Sequence, residues 1–442
     1  MPLPPGPSES ALAQTLRWTL RPLAFVKECR ERYGDTFSLR LIGFKHLVLI
    51  SDPAAIKALY LESENEMSAG RKMLLRPLLG AESVFLLEGN EHLARRKLML
   101  PPFHGERMRS YEAVVEEIVT AEIDSWPIGQ EFPIHTGMQA VTLEVILRVV
   151  FGLADGPRLE RLRDLLPEVL TETGSPRALM LGLLASRFGE GGPWARLEGK
   201  LMKEVDGLLF AEIAEHRARP DLAEREDILS MLMLARFEDG SAMSDKDLRD
   251  QLMTLLLAGH ETTATALAWT FDLLLRHPPQ LQRLRESLAA GENDYLKATM
   301  SESLRLRPVV PLIGRRLAKE LSVDGLTLPA GTNVAPAVWI THTRADLYPD
   351  PAAFKPERFL DEAPDAYAWI PFGGGIHRCI GVAFAELEMR IVLREVLGRC
   401  DLRKTSPLAE IGARRNLTLS PKDGTPVIVD ARRPPRETPV AA

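Results

Sequence analysis

Pro371-Phe372-Gly373-Gly374-Gly375-Ile376-His377-Arg378-Cys379-Ile380-Gly381 is the stretch on which the reading of this chain turns. Glycines in a row let a backbone pass close to something flat and bulky, because no Cβ holds it away. A basic pair follows, then one thiol, and from Ile380 onward the pattern is helical. A thiol at a helix start feels the positive end of the helix dipole, which favours its thiolate. Beside basic residues it becomes a candidate metal ligand. A lone thiolate behind a Gly-rich loop suggests haem iron, where thiolate donation favours O–O cleavage. An inert, buried cysteine behind an ordinary glycine turn is the other reading of the same residues.

The segment resembles the haem-binding loop of the cytochromes P450, whose bacterial form runs Phe-Gly-x-Gly-x-His-x-Cys-x-Gly. Phe372, Gly373, Gly375, His377, Cys379 and Gly381 meet its fixed positions. The resemblance extends over nearly the whole chain. It implies a mainly α fold with a small β region, a long central helix over the haem, and Cys379 as the axial ligand of the iron.

Composition agrees with an ordinary globular enzyme: 442 residues, 45% hydrophobic and 26% charged. The net charge of -6 argues against a nucleic-acid binder, since no global positive field would attract phosphate. Three scattered cysteines, Cys29, Cys379 and Cys400, make no disulfide framework and fit a reducing, cytoplasmic compartment. Met1 to Ser10 is Pro-rich and lacks the pattern of a signal peptide. No N-terminal stretch is long enough to span a bilayer. The expectation is a cytoplasmic enzyme of the bacterial type, without a transmembrane anchor.

Helical periodicity dominates the rest. Ala11 to Tyr33 reads as one amphipathic helix ending at Gly34. Phe37 to Leu41 and His46 to Ser51 read as strands joined at Gly43. Helices are expected around 89–100, 105–124, 136–151, 157–170, 194–218 and 225–236, then at 279–289, 294–306 and 380–399. Residues 308–340 turn β-rich, 346–371 read as irregular coil, and a strand pair is expected near 417–429. With no repeat and no low-complexity linker, the chain reads as a single domain over 1–442, flexible at 1–10 and 432–442.

Gln251 to Leu275 is nearly continuous apolar sequence, interrupted by Ala258-Gly259-His260-Glu261-Thr262-Thr263. Acid and histidine at mid-bilayer would be costly, so a buried central helix fits better. Ser244 and Asp247 resemble a capping box at its start. Thr262 can bond back to the carbonyl of Ala258, four residues earlier, and Gly259 would leave room for a small ligand. By the resemblance this is the oxygen-activating groove: Thr262 would stabilise the oxygen under activation and Glu261 would help deliver protons. A buried helix with satisfied threonines is the alternative for these residues taken alone, and His260 fits a wall as well as a chemical role.

Glu302 and Arg305 lie at i and i+3 of a helix and resemble the Glu-x-x-Arg pair of the family. Pro356-Glu357-Arg358-Phe359 resembles the element whose arginine joins that pair in a buried network. His92 and Arg96, at i and i+4, together with Arg315 and His377, match the family's donors to the haem propionates; Arg316 stands beside Arg315 as a rival. Phe372, Gly373, Gly381 and Ala258 would also line the haem. Arg95, Lys97, Arg378 and Arg390 suggest a basic patch for an acidic electron donor.

Substrate in this family sits opposite the thiolate. Val84, Phe85 and Leu87, with Val310 and Leu312, would form apolar walls, and Met180, Leu181, Leu183 and Leu184 would belong to a lid within 169–194. The resemblance therefore implies a monomeric haem-thiolate monooxygenase. It would carry haem b, use O2, act on a lipophilic fatty acid, terpenoid or steroid-like molecule, and take electrons ultimately from NAD(P)H through a ferredoxin or flavodoxin with its reductase. A peroxide-using peroxygenase of the same fold and a non-enzymatic haem-thiolate sensor are the alternatives. The acid–alcohol pair Glu261–Thr262 speaks against both.

Overall fold

The computed structural model describes residues 3–42, 44–61, 65–66, 75–174, 193–312, 314–323, 325–360, 364–415 and 418–435. In chain order it contains α1 (Ala11–Leu20), α2 (Pro22–Tyr33), β1 (Thr36–Leu41), β2 (Phe44–Ile50), α3 (Pro53–Leu61), β3 (Asn65–Glu66), α4 (Gly89–Met99), α5 (Arg107–Ser125), β4 (Glu131–Pro133) and α6 (Ile134–Val145). A π-helical turn (Ile146–Val150), α7 (Pro157–Gly174), α8 (Pro193–Ala218), α9 (Ile228–Leu234), α10 (Asp245–Arg276), α11 (Pro278–Ala289) and α12 (Asp294–Leu306) follow. The chain closes with β5 (Arg315–Leu317), β6 (Leu321–Val323), β7 (Leu326–Leu328), β8 (Asn333–Pro336), α13 (Val338–His342), α14 (Val382–Arg399), β9 (Cys400–Lys404), β10 (Gly412–Arg415), β11 (Thr418–Pro421) and β12 (Pro426–Arg432).

The run expected as one helix from Ala11 to Tyr33 is two. Pro22 has no N–H to continue the ladder and pushes Arg21 out of the helical region, to φ -144° and ψ 61°. The helix after the thiol starts at Val382 rather than Ile380. Strands β4, β9 and β10 lie outside the expected strands: β4 and β10 are only 3 and 4 residues long, and β9 follows without a break from the helix ending at Arg399.

Contacts gather into two compact units, Met1–Met73 with Ala298–Cys379, and Leu74–Lys297 with Ile380–Ala442. In the first, a five-stranded sheet runs β1-β2-β8-β5-β3, and β6 pairs with β7. Both sheet faces are buried, so alternate residues serve two cores. Phe37, Leu39, Leu47 and Leu49 pack with Phe25 and Cys29 of α2. Val48 and Ile50 turn the other way, onto Ile56 and Leu59 of α3 and Ile370.

In the second unit α10 is the long axis, packed against α6, α8 and α14, with β10 and β11 forming a hairpin beside it. Its start carries the expected capping box: Asp247 N–H donates to Ser244 Oγ at 3.1 Å and Ser244 N–H to Asp247 Oδ2 at 2.9 Å. Elsewhere in this unit the buried ring of His216 on α8 lies 3.0 Å from Glu212 and 3.6 Å from Asp227. Burial opposes its charge, yet the two carboxylates push its pKa up to about 9. A histidine raised in the fold stabilises fully below its unfolded pKa, ~6.5, and loses that contribution as pH rises through the folded value. Comparison of wild type with His216→Gln by thermal unfolding from pH 6 to 10 is therefore expected to show roughly 2–3 kcal/mol of stability that disappears between pH ~6.5 and ~9 in the wild type alone. Parallel pH profiles for the two proteins would refute this.

Candidate functional site

The glycine loop is a compact turn in the first unit. Gly373 N–H donates to the Ile370 carbonyl at 3.1 Å, Arg378 N–H to Gly375 at 3.1 Å, and Cys379 N–H to Phe372 at 2.9 Å. Gly373 and Gly375 sit at φ 68° and 61°, which L side chains rarely adopt. A Cβ on Gly374 would come within 2.9 Å of the Tyr60 ring, and one on Gly375 within 2.6 Å of the Tyr60 carbonyl oxygen. The flat group these two glycines admit is thus the tyrosine of α3, where the sequence suggested a ligand. Tyr60 in turn stacks on Tyr367, with ring centroids 6.4 Å apart.

Cys379 is exposed and in no disulfide, and Ile376 beside it is 47% exposed. Cys29 and Cys400 are buried, and burial pushes both thiols up to about 11. The alternation of β5 turns Arg315 inward, at 6% exposure, and Arg316 outward, which separates the two rivals. Burial raises the Tyr60 phenol, and the nearby Arg315 charge pulls it the other way. His377 lies in the short 3-10 turn before the thiol. Phe372 is half-buried and meets Trp369 edge-on at 6.0 Å. Val310 and Leu312 are half-buried.

The charge network lies in the same unit. Glu302 and Arg305 are fully buried and paired through two bonds, Nε to Oε2 at 2.6 Å and Nη2 to Oε1 at 2.7 Å. Arg358 Nε and the Lys355 N–H reach the same carboxylate at 3.1 and 2.9 Å. The arginines then hold the irregular coil by its carbonyls: Arg305 those of His342 (2.8 Å) and Pro351 (2.9 Å), Arg358 that of Pro349 (3.0 Å). His342 extends the chain of bonds. It is fully buried, and burial lowers its pKa to about 3, so the ring is neutral. Its Nε2 accepts the Ile370 N–H at 2.9 Å, which places the proton on Nδ1. Since Ile370 accepts from Gly373, hydrogen bonds run unbroken from the ion pair to the glycine loop. Nothing in the sequence singled out His342.

In the second unit the middle of α10 changes character. Most of the helix is buried, but Leu255, Leu257, Gly259, Glu261 and Thr262 are half-buried and Ala258 is exposed. Thr262 Oγ1 donates to the Ala258 carbonyl at 2.5 Å, as the spacing predicts. Gly259 does not make room for a ligand: a Cβ there would sit 3.2 Å from Ile146 of the π-helical turn. His260 faces α6. The Thr142 hydroxyl donates to the His260 carbonyl at 2.9 Å and lies 3.0 Å from its Nδ1, and burial lowers the ring's pKa to about 4. The geometry is that of a helix-to-helix tie. Glu261 is held by Gln139 of α6 at 2.7 Å and approached by the hydroxyls of Thr265 and Ser420.

A polar row on α10 also fixes the turn expected to carry substrate contacts. Val84 N–H donates to Gln251 Oε1 at 2.9 Å, Gln251 Nε2 to the Glu82 carbonyl at 2.7 Å, and Ser83 meets Thr254 at 2.6 Å. Val84 is buried; Phe85 and Leu87 are half-buried. The Val84 carbonyl lies 2.9 Å from His92 Nδ1. A carbonyl only accepts, so Nδ1 carries a proton, and His92 would meet a carboxylate through Nε2 only when doubly protonated. Arg96 is half-buried one turn further along α4.

The expected basic patch is not borne out. Arg95 is 7% exposed, 2.8 Å from Asp247 and over the Phe237 ring. Lys97 pairs with Glu238 at 2.8 Å and Arg390 with Glu112 at 2.7 Å, while Arg378 is exposed. Long-range acids have cancelled most of the local positive charge. The proposed lid residues Met180, Leu181, Leu183 and Leu184 lie outside the described residues.

Haem requires a thiolate, cations for two carboxylates, and apolar surface. Taken unit by unit, the exposed Cys379 thiol and the inward Arg315 of the first fit the thiolate and a cation, and the uncovered, partly apolar window on α10 of the second fits the apolar surface. No described helix is long and apolar enough to cross a membrane. The family model for cytochrome P450 matches residues 4–424. Cytochrome P450 135B1 of Mycobacterium tuberculosis is 42% identical over 443 aligned residues, covering 98% of this chain and 92% of that one. Cytochrome P450 138 of Mycobacterium bovis is 36% identical over 431, covering 97% of each. The solved structure of a cyanobacterial CYP120A1 with retinoic acid bound superposes with a TM-score of 0.82 at 25% identity, over 98% of this chain and 100% of that one. The chain belongs to the cytochrome P450 family, the haem-dependent monooxygenases that use O2, a small-molecule substrate and electrons from a redox partner.

Proposed function

We propose that the chain works as one haem-thiolate domain that oxygenates a lipophilic molecule of the fatty acid, terpenoid or steroid-like class. The overall reaction balances as RH + O2 + two protons + two electrons giving ROH and water. Haem b, bound through Cys379, supplies O2 binding and the thiolate donation that favours O–O cleavage. His92, Arg96, Arg315 and His377 neutralise its carboxylates, and Phe372, Gly373, Gly381 and Ala258 line it. Glu302, Arg305 and Arg358 hold the loop that presents the thiol.

The observation that carries this reading is the bond from Thr262 Oγ1 to the Ala258 carbonyl, at the uncovered part of α10. With its proton committed to the backbone, the hydroxyl offers lone pairs outward. It can hold a water or oxygen species as an acceptor, while Glu261 supplies protons nearby on the same helix. Val84, Phe85, Leu87, Val310 and Leu312 favour a lipophilic substrate, in keeping with the retinoic acid held by the structural neighbour. Electrons come from NAD(P)H through a ferredoxin or flavodoxin and its reductase, to a monomer in the cytoplasm. Because Arg95, Lys97 and Arg390 have acid partners, no strong charge steering of that donor is proposed.

Thr262→Val tests the reading. With a surrogate ferredoxin system and a lipophile chosen because it shifts the haem spectrum, product per O2 is expected to fall on the order of tenfold, with the balance released as hydrogen peroxide. The binding spectrum should be unchanged. An unaltered ratio of product to peroxide would overturn the role of Thr262.

A further inference from the structure

The carboxylate of Glu261 divides between two kinds of partner. Oε2 receives the Gln139 amide at 2.7 Å, a donor that cannot pass its proton on. Oε1 faces two hydroxyls, Ser420 at 3.3 Å and Thr265 at 3.4 Å, which lie 3.1 Å from each other. Ser420 is 3.2 Å from the hydroxyl of Thr418, and Thr418 donates to the carbonyl of the exposed Arg415 at 2.9 Å. His135 Nε2 lies 3.3 Å from Thr265 and 3.7 Å from Oε1 of Glu261.

Thr418, Ser420, Thr265 and His135 are each at most 4% exposed. Buried hydroxyls are costly unless bonded. Here three bond one another in a row whose inner end is a carboxylate and whose outer end is the carbonyl of an exposed residue. A hydroxyl, unlike an amide, can accept a proton on one lone pair as it releases its own.

We propose that Thr418 and Ser420 relay protons from the Arg415 end of the β10–β11 hairpin to Oε1 of Glu261, with Thr265 holding Ser420 in line and Gln139 fixing the carboxylate. The proposal rests on the reading of Glu261 as proton donor and says how that donor is refilled. A proton from water arrives at Thr418 Oγ1. Thr418 first turns its O–H from the Arg415 carbonyl to Ser420; it passes that proton to Ser420 as its oxygen takes the one from water, and Ser420 passes its own to Glu261. At each hydroxyl one O–H bond forms as one breaks, so the net change is one proton moved from water to the carboxylate, after which the hydroxyls rotate back. His135 is not a stop on this route. Burial, aided by the charges of Arg415 and His260, lowers its pKa to about 3, so the neutral ring serves Thr265 as a fixed hydrogen-bond partner.

The test follows the carboxylate itself. Haem-loaded protein carrying 13C-labelled glutamate is subjected to an acid jump, and the infrared carboxylate signal that disappears in Glu261→Gln is timed. Ser420→Ala and Thr418→Val, matched for thermal stability to the wild type, are each expected to slow protonation of that signal about tenfold and to raise the solvent deuterium isotope effect on product formation. Two near-isosteric variants at successive steps guard against one of them failing to fold. If both take up the proton at the wild-type rate while Glu261→Gln raises peroxide release, the relay is wrong and Glu261 keeps its role. If Glu261→Gln leaves peroxide release unchanged, the reading of Glu261 fails instead, and the relay with it.

Discussion

Cys379→Ser abolishes the red-shifted Soret band of the reduced CO complex and reduces product formation to background: that is the expected result of exchanging one atom. Serine preserves shape and hydrogen bonding, so the Cys379–Phe372 backbone bond and the glycine turn survive. The change is in the donor. A serine hydroxyl is a hard oxygen that stays protonated where a thiol ionises, and it cannot supply the electron donation that favours O–O cleavage. Neither remaining thiol can take over, because Cys29 and Cys400 are buried and held protonated up to about pH 11. Cys29→Ala and Cys400→Ala therefore keep the band. Persistence of the thiolate spectrum in Cys379→Ser would remove the axial assignment.

Glu302→Ala is expected to lose haem rather than merely slow turnover. The glutamate is the one carboxylate that Arg305, Arg358 and the Lys355 N–H all reach. Its removal leaves the Arg305 guanidinium fully buried with its charge uncompensated, a cost of ~3–5 kcal/mol. That is a large share of the ~5–15 kcal/mol by which a folded protein is stable. The damage is also aimed: the freed arginines hold the coil, and through His342 and Ile370 the glycine loop. Glu302→Gln, which keeps an acceptor but not the charge, should lie between. The readouts are the Soret-to-protein absorbance ratio and the unfolding midpoint. A soluble, fully loaded Glu302→Ala protein would refute the assignment.

Local spacing made much of this legible. The thiol loop, the Ser244–Asp247 cap, the Thr262–Ala258 bond and the Glu302–Arg305 pair each join residues no more than a few positions apart, where helix and turn geometry dictate the contact. What the sequence hid is the identity of distant partners. Ser420 reaches Glu261 across 159 positions and Gln139 across 122. Glu112 neutralises Arg390 across 278, and Glu238 neutralises Lys97 across 141, which is why a basic patch read from local charge dissolved. Gly259 looked like space for a ligand because a sequence cannot show Ile146 already filling it. Short strands such as β10, Gly412–Arg415, escaped because four residues without alternation carry no periodic signal.

The tyrosine under the glycine turn has a consequence for anyone redesigning this enzyme. Mutational libraries confined to residues 372–379 will return glycine at 374 and 375 whatever is selected for, since the obstacle is the ring and carbonyl of residue 60. At 374, where the obstacle is the ring, diversity becomes reachable only when position 60 is varied with it, and part of the epistasis of the haem loop is thereby written into a helix more than three hundred residues upstream; at 375 the obstacle is backbone and φ is 61°, so glycine stays whatever stands at 60.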